Sequence, residues 1–138
     1  MSVARTAIAF TALLVPLSGC TSDRNPLDGT EWVLVEMGTD GDLHAVPADK
    51  EITLEFVSGE DTVTGSLVRN IYYASYQADG SQLTIGQPGG AEMWCEPPEY
   101  MELEHNYLDA LRKAEWYVVE EDRLTIDCGV ILLVYERR

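Results

Sequence analysis

The chain has 138 residues, enough for one domain with a hydrophobic core, and it carries 24 acidic against 9 basic residues, a formal net charge of −15. Proteins that bind nucleic acid present a basic face to the phosphates, so this composition excludes nucleic acid as an expected partner. An anionic membrane surface would also repel the chain, and any membrane attachment must come from a covalent lipid rather than from surface charge.

The first 19 residues have the pattern of a bacterial export signal. Arg5 precedes an apolar run at residues 7–15, which is too short to span a bilayer but fits the core of a signal peptide. Residues 17–20, Leu-Ser-Gly-Cys, resemble the bacterial lipobox, in which the peptidase cuts before the cysteine and Cys20 receives the lipid. The alternative is an ordinary signal peptide that ends in a chance cysteine.

These features divide the chain into an export region and one domain. Thr21 follows the cysteine where enteric sorting rules place Asp for retention in the inner membrane, and this favours an outer-membrane anchor facing the periplasm. Without Arg5, 8 basic and 24 acidic residues remain, a net charge of −16. The predicted parts are a signal peptide at residues 1–19, a lipidated tether at residues 20–26 and the domain at residues 27–138.

The first half of the domain predicts a series of short antiparallel strands. Apolar residues recur at every second position, most clearly at residues 51–57. Asp79-Gly80 between two such segments is typical of a tight hairpin. Residues 38–50 contain two glycines, a proline and four charges, and this composition predicts a loop. The predicted strands lie at residues 31–37, 51–57, 62–66, 72–77 and 82–86.

The second half predicts one helix and three further strands. A proline pair at residues 97–98 fits a helix start, and the following segment, residues 99–114, has helical periodicity. The residues at this spacing are Met101, Glu104, Leu108 and Leu111. The three strands are predicted at residues 116–120, 124–128 and 130–135, and the last is apolar on both faces. The spacing predicts a mostly β (α+β) fold, a small antiparallel meander that closes into a barrel or sandwich and includes one helix.

Three motifs in the domain occur in the order and spacing of a known family. Residues 27–32 read Leu-x-Gly-Thr-x-Trp, residues 65–76 contain a Gly…Asn…Tyr segment, and residues 93–95 read Met-x-Cys before the helix. With these motifs the chain resembles the META domain family of heat-shock lipoproteins. The resemblance implies the fold given above, roles in stress tolerance, motility or secretion, and no agreed catalytic residue. The residues that carry it are Gly29, Thr30, Trp32, Gly65, Asn70, Tyr76, Met93 and Cys95.

Two cysteines remain if Cys20 is lipidated. Neither Cys95 nor Cys128 belongs to a CxxC motif, so their spacing does not indicate zinc. The family usually has a cysteine before the asparagine of its second motif, but this chain has Arg69 there. The resemblance and the predicted export together therefore favour a disulfide between Cys95 and Cys128. The alternative is that both pack as small buried apolar side chains.

The residues do not assemble into a catalytic or metal site. His44 falls in the predicted loop and His105 on the exposed face of the predicted helix, without converging partners. Asp40-Gly41-Asp42 lacks the further acids of a calcium loop. The chain contains neither a Gly-x-Ser-x-Gly motif nor a phosphate-binding glycine loop. We therefore expect no catalytic residue, metal or cofactor.

The aromatic residues and Asn70 each allow two interpretations. The aromatics could line a groove for a sugar or a peptide, or they could pack in the core and at its rim. Asn70 could lock a turn in the left-handed backbone conformation, or it could contact a ligand. The aromatics concerned are Tyr72, Tyr73, Tyr76, Trp94 and Tyr100. Trp32 is expected to be a core anchor, since it lies on the inward face of the first strand.

The sequence thus predicts a non-enzymatic, monomeric lipoprotein of the META type. It would be anchored to the envelope through an acyl chain such as palmitate and would serve as a binding or envelope stress and homeostasis module, with a protein partner of unknown identity. The alternative is an inhibitor of a hydrolase, either a protease or a lysozyme. For that role the loop at residues 38–50 is the candidate contact, and the acidic surface suits a basic enzyme.

Overall fold

The computed structural model describes residues 25–90 and 98–138. In this part of the chain it has nine strands and one helix. The strands are β1 (Glu31–Thr39), β2 (Asp42–Ala45), β3 (Thr53–Phe56), β4 (Thr62–Ser66), β5 (Ile71–Asp79), β6 (Gln82–Ile85), β7 (Trp116–Glu120), β8 (Arg123–Cys128) and β9 (Ile131–Arg137), and the helix is α1 (Pro98–Leu111). The predicted signal peptide, Cys20, Met93, Trp94 and Cys95 lie outside the described residues.

Eight of these strands close into an antiparallel barrel. Their order is β1-β3-β4-β5-β6-β7-β8-β9, and β9 pairs back with β1. β9 is thus paired on both sides. β2 lies outside the ring and pairs with the last residues of β1. The mostly β fold with one helix that the sequence predicted is confirmed.

Residues 38–50 form a β-hairpin and not only the predicted loop. β1 continues to Thr39, and a turn at Asp40 and Gly41 leads into β2. Gly41 has a φ of 88°, which L side chains rarely adopt. The prediction of a loop was wrong because polar composition correlates with loops but does not exclude a hairpin. An Asp-Gly dipeptide favours a tight turn for a physical reason, since glycine readily adopts a positive φ, and Asp79-Gly80 joins β5 to β6 in the same way.

Side chains at alternate strand positions fill the barrel. The alternate apolar residues of the strand predicted at residues 51–57 are fully buried. They are Ile52, Leu54 and Phe56, and Trp32 on β1 is also 0% exposed. Such alternation is what a barrel requires, because every second side chain points to its interior. Burial of Trp32 fits the expected core anchor.

The two ends of the barrel are closed by different segments. At one end α1 buries Tyr107, Ala110 and Leu111 against the strands. At the other end the segment before β1 inserts Leu27, which is 0% exposed. The helix ends before the predicted residue 114, and tighter backbone bonds follow it, such as that from the Lys113 N–H to the Ala110 carbonyl. Among the described residues, no helix has both the length and the apolar character needed to cross a bilayer.

Candidate functional site

The opening motif closes one end of the barrel through a set of local bonds. The Asp28 carboxylate accepts a hydrogen bond from the Gly59 N–H (2.9 Å), which fixes the β3–β4 turn. Gly29 has a φ of 76°, a conformation that favours glycine. The Thr30 hydroxyl donates to the Leu27 carbonyl (2.6 Å) and accepts from the Trp32 indole N–H (2.7 Å). These positions of the motif therefore have structural tasks.

Gly65 and Tyr72 form a second structural unit. A Cβ at Gly65 would lie 2.1 Å from the Thr53 carbonyl oxygen and 2.8 Å from the Tyr72 ring. The Tyr72 hydroxyl donates to that same carbonyl at 2.6 Å. Only glycine leaves room for this ring to lie across the neighbouring strands. Tyr76, the last residue of the motif, accepts a hydrogen bond from the Asn25 amide (3.0 Å) and packs edge-to-face on Phe56.

Asn70 ties the β4–β5 connection to the helix. Its side-chain amide donates to Glu104 Oε1 (2.5 Å), and the Arg69 N–H donates to Glu104 Oε2 (2.8 Å). Glu104 is 1% exposed, and a carboxylate so buried requires such donors. The structure favours the turn-locking interpretation, but the partner is the helix and not the turn itself. Asn70 does not have the expected left-handed backbone, since Glu121 is the non-glycine residue with positive φ among those described.

A chain of three buried tyrosine hydroxyls links the helix to opposite walls of the barrel. The hydroxyl oxygen of Tyr107, on α1, lies 2.9 Å from that of Tyr72 and 2.9 Å from that of Tyr135. Because the Tyr72 hydrogen goes to the Thr53 carbonyl, Tyr107 must donate to Tyr72, and Tyr135 must donate to Tyr107. Burial raises the pKa of each phenol well above its ordinary value, so all three remain protonated.

Among the described residues, the aromatics singled out in the sequence do not form one groove. Tyr72 and Tyr76 point into the barrel, while Tyr73, between them in sequence, is 58% exposed on the outer face. Tyr100 contacts the Lys50 ammonium, which lies 4.9 Å from its ring centre. The core-packing interpretation therefore holds for Tyr72 and Tyr76, and an aromatic groove that includes them is wrong.

A cavity of about 390 Å³ lies between α1, the end of β1, β2 and the β8–β9 turn. Its buried or half-buried lining is apolar, and its exposed lining is mainly polar. The first group contains Met37, Ala110, Cys128 and Ile131, and the second contains His44, Asn106, Asp109, Lys113 and Val130. A mostly apolar cavity with a few polar groups at its mouth is the usual form of a small-molecule site.

Charged groups at the mouth are held by short contacts. Asp109 accepts from Arg112 (2.6 Å) and Lys113 (3.2 Å). The bonds from Lys113 and Arg112 hold the pKa of the Asp109 carboxyl below its ordinary value. His44 lies 3.4 Å from Asp42 within the hairpin. These contacts keep the mouth polar while the floor stays apolar.

Cys128 is a buried free thiol in the structure. Burial raises its pKa to about 12, with smaller contributions from Asp127 and Glu115. The thiol is therefore protonated at neutral pH and is not an activated nucleophile. Its exposed fraction is 4%, which agrees with a small buried side chain. Cys95 lies outside the described residues, so the bond between the two cysteines stays a prediction.

That bond places a demand on the chain before the helix. Asn106 and Ala110, which line the cavity with Cys128, lie about 12–18 Å along the helix axis from Pro98 at about 1.5 Å per residue. Cys95 precedes Pro98 by three residues, or at most about 10 Å of extended chain. A Cys95–Cys128 bond therefore requires the intervening chain to run back along α1.

Neither histidine belongs to a catalytic or metal cluster in the described parts of the chain. His44 is on β2, and His105 is on the outer side of α1, as predicted. In residues 25–90 and 98–138, no group of three His, Cys, Asp or Glu side chains is arranged to hold a metal ion. The sequence did not indicate Tyr107, Tyr135 or the cavity. For the two tyrosines, the only available signal was that a buried phenol hydroxyl requires a hydrogen-bond partner.

The fold and site define a small antiparallel barrel that is capped by a helix and carries an apolar cavity beside that helix. The chain belongs to the META domain family, whose model matches residues 25–137. This membership confirms the resemblance on which the sequence interpretation depended.

Solved structures share the fold. A protein from Burkholderia xenovorans solved by NMR is 26% identical, with a TM-score of 0.69 over 97% of this chain and 95% of that one. A second NMR structure is 21% identical, with a TM-score of 0.61 over 80% of this chain and 90% of that chain. A DUF4847 family protein from Bacteroides vulgatus is 14% identical, with a TM-score of 0.55 over 80% of this chain and 94% of that chain. No curated protein matches the chain.

Proposed function

We propose that this chain is a lipid-anchored, non-enzymatic binding domain of the bacterial envelope that contributes to stress tolerance or homeostasis. The observation that carries the binding function is the apolar cavity beside α1, which we assign to a small, mostly apolar molecule. The lipobox-like residues before Cys20 support the anchor. Membership in the META family supports a role of this class.

The cavity is suited to binding for two physical reasons. Its volume of about 390 Å³ lies within the usual range for ligand sites, about 300–1,000 Å³. Its floor is built from rigid elements, because Ala110 is on the helix and Met37 is on β1.

An exposed residue at the mouth gives a clean test of the cavity. Asn106→Trp would place a large ring at the mouth, and Glu102→Trp is the matched control on an exposed position of the same helix that does not line the cavity. The anionic, apolar dye 1-anilinonaphthalene-8-sulfonate should bind the wild type and the control alike. Its affinity should fall at least about fivefold in Asn106→Trp. Equal affinity in all three proteins would place the dye elsewhere.

A second candidate, inhibition of a basic hydrolase, is favoured by the β1–β2 hairpin. This hairpin presents Asp40 and Asp42, both exposed, at its tip. The test is a lysozyme activity assay with the wild type and with Asp40→Asn/Asp42→Asn. Inhibition by the wild type that weakens in the variant would support this function, and no inhibition by the wild type would exclude lysozyme as the target.

A further inference from the structure

The barrel has a weak seam between β6 and β7. These strands share one residue pair, Gln82 with Trp116, whereas β7 and β8 share five. Two backbone bonds flank that pair, from the Leu83 N–H to the Glu115 carbonyl and from the Tyr117 N–H to the Ser81 carbonyl. β7 then continues to Glu120, beyond the tip of the β5–β6 hairpin. The last residues of β7 therefore have β8 on one side and no described strand on the other.

The direction of the Tyr117 N–H shows which backbone groups are open. Because it points toward β6, the N–H and carbonyl of Val119, two residues further on, point the same way. No backbone bond from these Val119 groups to another described residue is formed on that side. With respect to residues 25–90 and 98–138, β7 thus presents a short free edge, and a free edge can accept an additional strand.

Exposed apolar side chains and carboxylates border this edge, and the nearby Arg123 and Arg137 are paired with Glu136 and Asp122. Trp116 and Val118, on the outer face of β7, are 47% and 53% exposed. Glu120 and Glu121 follow directly, and Asp79 is at the tip of the neighbouring hairpin, two residues from Ser81. None of these three carboxylates forms an ion pair with another described residue. Their charge repels a second copy of this acidic chain and favours a basic ligand.

We propose that the free edge of β7 docks an extended, lysine- or arginine-bearing segment of a partner protein as an additional strand. Backbone bonds to Val119 would provide the affinity, as in other cases where a peptide extends a sheet. Alternate apolar side chains of the segment would pack on Trp116 and Val118, and its basic side chains would reach Glu120 and Glu121. This surface is distinct from the cavity beside α1, so it does not depend on the binding of a small molecule there.

The test titrates the ¹⁵N-labelled protein with an acetylated, amidated hexapeptide of alternating lysine and valine at low salt. The Val119 amide should shift, and its hydrogen exchange should slow at least tenfold at saturation. Binding should weaken as salt rises, because the carboxylates are exposed. The same peptide with methylated backbone nitrogens keeps its charge but cannot donate, and it should bind at least tenfold more weakly.

Two sets of variants separate backbone pairing from charge. Val119→Pro removes an N–H that β8 does not use, so the variant should fold and lose at least tenfold in affinity. If it does not fold, Glu120→Lys/Glu121→Lys should show the loss, while Asp40→Lys/Asp42→Lys, on the β1–β2 hairpin, should not. Equal binding of the methylated peptide, or no protection at Val119, overturns the proposal. Concentration-dependent self-association through this edge also overturns it, because the occupant would then be a second copy.

Discussion

Removal of the Tyr107 hydroxyl tests whether the helix is held by the chain of three phenols. Tyr107→Phe keeps the ring, which is 0% exposed, and deletes only the oxygen. That oxygen accepts from Tyr135 and donates to Tyr72. The variant therefore loses two buried hydrogen bonds and leaves the Tyr135 hydrogen without an acceptor.

The number of bonds sets the expected magnitude. Each hydrogen bond contributes about 1 kcal/mol to stability, and a buried donor left without a partner costs about 1–3 kcal/mol. The lost bond to Tyr72 accounts for about 1 kcal/mol, and the lost bond from Tyr135, whose donor is left without a partner, accounts for about 1–3 kcal/mol. Tyr107→Phe should therefore lower the free energy of unfolding by about 2–4 kcal/mol. Tyr135→Phe is the matched control, since it removes one bond and leaves Tyr107 donating to Tyr72. It should cost about 1 kcal/mol.

The assay is urea unfolding of the soluble domain, followed by tryptophan fluorescence. The double variant Tyr107→Phe/Tyr135→Phe has no stranded hydroxyl, so it should be no less stable than Tyr107→Phe alone. This non-additivity is a direct consequence of the donor directions in the chain. A Tyr107→Phe variant that is as stable as Tyr135→Phe, or additive losses in the double variant, would refute the reasoning.

Alkaline pH should act on the same residues. Burial raises the pKa of Tyr72, Tyr107 and Tyr135 in the folded state, so the unfolded chain loses these protons first, near pH 10 or so. Their contribution is fully present below that pH and is lost as the pH rises above it. The free energy of unfolding, measured between pH 8 and 11 or so, should fall less steeply in Tyr107→Phe, which has one phenol fewer.

Three further predictions concern the core, the anchor and the cysteines. Trp32→Ala should lower the free energy of unfolding by about 3–5 kcal/mol, and Trp116→Ala, at a half-exposed position, should lower it by less than about 1 kcal/mol. A loss below about 1 kcal/mol at Trp32 would mean that it is not a core anchor. An alkyne fatty acid should label the wild type and not Cys20→Ala in cells, and equal labelling would remove the anchor. Unreduced, denatured protein from the periplasm should show neither Cys95 nor Cys128 as a free thiol, and two free thiols would refute their disulfide.

Local patterns in the sequence determined most of the secondary structure. Alternation over short segments predicted the strands, because it depends only on which side chains share a face. The last strand and the Asp79-Gly80 turn could be predicted because their signals come from residues that are adjacent in the chain. The Asp40-Gly41 hairpin was missed although its signal is local too. The opening motif could also be recognised, since the bonds of Thr30 reach only three residues back and two forward.

The tertiary structure alone decided the contacts that join distant segments. Tyr72 and Tyr107 are 35 residues apart, and Asn70 and Glu104 are 34 apart. No pattern in the sequence shows that a helix glutamate will be buried under a loop. The cavity beside α1 and the free edge of β7 depend on the register and stagger of the closed barrel. The sequence by itself determined the acidic charge and the order of strands. The pairing of these strands around the barrel determined where the cavity and the edge of β7 lie, because register is a property of the folded sheet.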